Sequence, residues 1–66
     1  MKQLLKIYGF EAVSQYYEMV IESKINGQIT QAKEQFNAMP KANRKAIVEE
    51  LSQGNNELFM FFFRLL

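Results

Sequence analysis

Four interruptions decide what this chain can build: Gly9, Asn26-Gly27, Met39-Pro40 and Gly54-Asn55-Asn56. None of the stretches between them alternates apolar with polar residues as a half-buried strand must. Gln, Glu, Lys, Ala and Leu, all good helix formers, fill their interiors. The expected fold is all-α: a small bundle of three main helices plus a short N-terminal helix, in a single helical domain spanning residues 1–66.

Within that frame each segment shows a helical period. Phe10, Val13, Tyr17, Val20 and Ile21 form one apolar stripe, and Asn26-Gly27 ends it because Gly accepts the left-handed conformation that closes a helix. Glu11, Glu18 and Glu22 line a neighbouring face with Gln15 and read as solvated. Ile29, Ala32, Phe36 and Met39 predict a second helix over Gln28–Met39, with Thr30 as its N-cap. Pro40, whose fixed φ suits a first turn, opens a third that runs to Gln53 and buries Ile47, Val48 and Leu51. Asn55 or Asn56 caps a final helix with Glu57 in its first turn. Gly9 is read as a break or kink that lets a short first helix fold back. The expected core is Phe10, Val13, Tyr17, Val20, Phe36, Ile47, Leu51, Phe61 and Phe62.

Size makes that core marginal. A chain of 66 residues exposes roughly 4,400 Å² folded against roughly 11,300 Å² unfolded, so only about 60% of its surface is buried on folding. Without Cys or His there is neither a disulfide nor the usual structural zinc set, leaving helix packing or self-association to stabilise the fold.

The last helix offers a means of self-association. Leu58, Phe61, Phe62 and Leu65 make one face at i, i+3, i+4 and i+7, while Phe59, Phe63 and Leu66 make a second about 100° around, with Met60 beyond it. One face fills the core; the second calls for a partner. Phe59, Met60, Phe63 and Leu66, extended by Tyr16 and Met19, form the expected oligomer interface, and a two-fold dimer is the favoured closed solution.

Other functions fare less well. His, Cys and Asp are absent, and no phosphate-binding Gly-rich loop or nucleophile elbow occurs, so no catalytic, cofactor-binding or metal residue is assigned. The carboxylates Glu18 and Glu22 share a helix face but lack the His that completes a di-metal set. Eight Lys and Arg against seven Glu leave a formal charge of +1, with no field to steer nucleic acid. Lys41, Arg44 and Lys45 gather where the third helix begins and are the candidates for anion or nucleic-acid contact. A helix-turn-helix register nevertheless fails there, because its turn glycine would fall on Phe36. Phe59–Leu66 could lie in a membrane interface, yet Arg64 is its one cation and the apolar run is too short to span. Gln3 and Lys6 interrupt any signal-peptide core, which with the absence of Cys favours the cytoplasm.

Tyr16–Leu51 contains ESKINGQ at a helix end and MPKANRKAIVEEL across the third helix. This stretch resembles short all-helical hypothetical proteins of gut-bacterial and phage genomes. The resemblance implies a phage or mobile-element accessory protein and transfers no site residues. The expected function is a non-enzymatic interaction protein that acts as a homo-oligomer. The alternatives are a small nucleic-acid-binding regulator using Lys41, Arg44 and Lys45, and peripheral membrane association through the C-terminal helix.

Overall fold

The computed structural model describes all 66 residues, and they form five helices and no strand. These are α1 (Lys2–Tyr8), α2 (Val13–Ile25), α3 (Ile29–Ala38), α4 (Lys41–Leu51) and α5 (Asn56–Phe63). The longest, α2, has 13 residues, and no helix is long and apolar enough to cross a membrane.

The breaks follow from local chemistry. Gly9 and Gly27 are the two residues with positive φ, at 72° and 80°, and each closes a helix in the same way. After α1 the Phe10 amide donates to Leu5 O (2.8 Å) and the Gly9 amide to Lys6 O (3.2 Å). After α2 the Gln28 amide donates to Ser23 O (2.8 Å) and the Gly27 amide to Lys24 O (3.1 Å). Both are Schellman motifs, in which carbonyls that would lack partners at a helix end are satisfied by turning back. Gly9 thus separates α1 from α2.

Starts are less regular. The second helix begins at Val13, three residues later than its apolar stripe implies, because the Gln15 side-chain oxygen accepts from the Glu11 (2.6 Å) and Ala12 (2.9 Å) amides and stops the helix there. Ala12 has no side-chain acceptor to return the bond, so this is half a capping box. The N-cap of α3 is Gln28, without a side-chain bond, and Thr30 lies inside the first turn. The Schellman turn commits the Gln28 amide backwards and leaves no room for a later start. Pro40 stands just outside α4 and its carbonyl accepts from the Asn43 (3.0 Å) and Arg44 (3.1 Å) amides. At α5 the Asn55 side chain caps the helix, its Oδ1 accepting from the Leu58 amide at 3.0 Å.

Packing proceeds in pairs. α2 lies chiefly against α3 and α4 against α5, and the pairs meet where the Phe36 ring of α3 packs on Phe62 of α5 with centroids 5.3 Å apart. The apolar core is Tyr16, Val20, Phe36, Met39, Ile47, Val48, Leu58 and Phe62, with Met1, Leu4 and Leu5 packed against it from α1 and the residue before it. Val20, Phe36, Ile47 and Phe62 were expected inside; Phe10, Val13, Tyr17, Leu51 and Phe61 are only half-buried. On α2 the buried residues are Tyr16, Val20 and Ser23, a stripe rotated by roughly 80° from the expected one at 100° per residue. The polar side chain of Ser23 at a buried position hides this stripe from an apolar period count.

Candidate functional site

Tyr16, expected on the outer surface, is fully buried. Its hydroxyl donates to Gln35 O at 2.6 Å, one of the last carbonyls of α3, left over because the Met39 amide turns to Phe36 O instead. About two turns further along α2, the buried Ser23 hydroxyl lies 3.0 Å from Met19 O and 2.8 Å from the Gln35 side-chain amide. Both facing atoms, Met19 O and Gln35 Oε1, are acceptors, and the single hydroxyl proton serves one of them at a time. Burial, and then the neighbouring Tyr8, push the Tyr16 phenol up to about 12. Tyr16 therefore belongs to a polar seam joining α2 and α3, not to an outer patch. Met19 is half-buried against the core.

The remaining candidates of the apolar surface stay together along α5 and the turn that follows it. Phe63 and Leu66 are each 51% exposed and Met60 is 37% exposed. Phe59 is half-buried and stacks beneath Phe63, with centroids 5.4 Å apart. Leu58 and Phe62 on the opposite side are buried, so α5 has one side inside the molecule and an aromatic side facing water. Phe61, between the two, is covered by the Lys24 ammonium 5.0 Å from its ring centroid.

Of the basic candidates, Lys41 and Lys45 are exposed, one turn apart on α4, whereas Arg44 is half-buried. The Arg44 Nε is enclosed and has no hydrogen-bond partner. Its guanidinium is thus partly withdrawn from the surface where a phosphate would sit. Asn43 beside it donates from Nδ2 to the Tyr17 hydroxyl at 3.1 Å, tying α4 to α2. The carboxylates do not gather into a cluster able to hold a metal ion.

A second feature was hidden in the sequence. Val13, Tyr17 and Ile21 of α2 and Ile47 and Leu51 of α4 line an open groove of about 510 Å³, with Gly54 and Asn55 also in its lining. Glu18 stands on the α2 bank and Glu50 on the α4 bank. Most of these apolar residues read as interior from their spacing alone. They line a groove because α2 is turned towards α3, which leaves the edge of its wide stripe uncovered.

Comparison with protein-family models, with curated proteins and with solved structures returns no match for this chain.

Proposed function

We propose that this protein is a non-enzymatic interaction module that works as a homo-oligomer, a dimer in its simplest closed form. On this reading it serves in the cytoplasm as an accessory protein, of the phage or mobile-element kind, that binds another protein. The single observation supporting the reading is the outer side of α5, where Met60, Phe63 and Leu66 expose apolar surface over a stacked Phe59. Aromatic residues and Met are the types enriched where protein surfaces meet, and a helix end with one Arg lacks the several cations of an interfacial membrane helix.

Size-exclusion chromatography with light scattering tests it directly. A dimer is expected at about 100 µM protein, since self-association follows mass action, and Phe63→Glu is expected to yield a folded monomer. A parent chain that stays monomeric overturns the proposal. The rival use of Lys41, Arg44 and Lys45 on nucleic acid predicts duplex DNA binding that falls steeply between roughly 50 and 200 mM salt. No such binding is expected, and a mobility shift abolished by Lys45→Glu would put that rival first.

A further inference from the structure

The outer side of α5 is too small to hold a dimer by itself. A whole aromatic side chain buries about 150–250 Å², so the half-exposed Phe63 offers on the order of 100 Å². With Met60 and Leu66 the patch comes to roughly 300 Å², against about 800 Å² per partner in a stable interface. A further surface on each copy has to contribute, and the groove between α2 and α4 is apolar, open and unfilled by the chain itself.

The chemistry of the groove matches the end of α5. Its floor takes apolar groups, and carboxylates stand on both banks, Glu18 and Glu50, each exposed. The segment Phe63–Leu66 presents two half-exposed apolar side chains around an exposed cation, Arg64. Gly54 and Asn55, which help line the groove, stand where α5 begins, and Phe63–Leu66 stand where it ends. Two copies of α5 running antiparallel about a two-fold axis bring the end of each towards the start of the other.

We propose that the α2/α4 groove receives the Phe63–Leu66 segment of a second copy of this chain, with Arg64 between Glu18 and Glu50 of its partner copy. The inference rests on the proposed self-association and specifies the receiving surface. The contact is isologous, each copy giving its Phe63–Leu66 segment and receiving its partner's, so it closes a dimer instead of growing an open chain. Part of the attraction is ionic and lies at the surface, so it weakens with salt.

Charge exchange tests the pairing with the full chain. The double variant Glu18→Lys/Glu50→Lys and the single variant Arg64→Glu are each expected to raise the dimer dissociation constant at least tenfold, with helical circular dichroism unchanged. An equimolar mixture of the two is expected to form a heterodimer near parental affinity, because both contacts are then complementary. The triple variant is expected to recover a homodimer for the same reason. Should the double variant dimerise like the parent while Phe63→Glu still gives monomers, the groove is not the receiver and is left open to a hetero-partner; self-association survives and this inference falls. Failure of the mixture and of the triple variant to recover also overturns it. A parent chain that never dimerises removes both readings.

Discussion

At the residue scale, Tyr16 and Tyr17 are neighbours with the same side chain and different fates. Tyr16 is enclosed and completes the end of α3, while Tyr17 lies half-buried along the groove. A period count cannot separate them, because either tyrosine extends an apolar stripe. The deciding partner, a carbonyl on Gln35, is a backbone group in another helix that no side-chain pattern records. Removing the phenol by Tyr16→Phe leaves that half-buried carbonyl without its partner, and a loss of about 1 kcal/mol is expected in urea unfolding. Titration gives a second signature. The phenol ionises near 10.0 when unconstrained and only at about 12 in the fold. Its protonated form is thus retained longer by the native state, so its contribution is intact below pH 10 and is lost as pH rises towards 12. Over that window the parent is expected to lose stability more steeply than Tyr16→Phe, which serves as the control for titrating lysines.

At the scale of the element, ends were more legible than faces. Gly9, Gly27 and Asn55 each do in the structure what their residue type prescribes, since a positive φ or a short side-chain acceptor is a local requirement. The N-termini of α2 and α3 are hard to read for the converse reason: Gln15 is a favoured third residue of a capping box but answers Ala12, which is no N-cap signal, and Gln28 is not a preferred N-cap and holds its place through a committed turn. The two sides of α5 were separable in sequence, as its aromatic run is long enough to encircle a helix. The groove was not, because it depends on how far α2 is rotated about its own axis. Two substitutions measure the ends. Gly27→Ala forces a side chain into φ +80° and is expected to cost about 1–2 kcal/mol, with Gly27→Asn costing less. Asn55→Ala is expected to cost about 1 kcal/mol, seen as a fall of roughly 4–8 °C in Tm for a domain of this size.

At the scale of the whole molecule, the Cα radius of gyration is 11.0 Å, and about 11 Å is what this chain length predicts for a compact domain. Its accessible area of 4550 Å² is likewise near the roughly 4,400 Å² expected for its mass. The exposed apolar side chains of Met60, Phe63 and Leu66 are therefore not a symptom of loose folding; they remain after the interior has been filled. A chain of this length has only roughly 3–10 kcal/mol of stability, and truncating a buried Phe costs about 3–5 kcal/mol. Phe62→Ala is accordingly expected to lose most of its helical circular dichroism at 25 °C, while Phe63→Glu, one residue on, keeps it. The turn between α2 and α3, only Asn26–Gln28, also has a consequence in time. Closing that hairpin costs little chain entropy, whereas Phe62 must return across α4 to reach Phe36. Ala32→Gly is then expected to slow refolding in stopped-flow measurements, and Phe62→Leu chiefly to hasten unfolding. Until that last docking, Leu58, Phe61, Phe62 and Phe63 all face water on one short segment, so refolding yield at high concentration is set by a race between docking and aggregation.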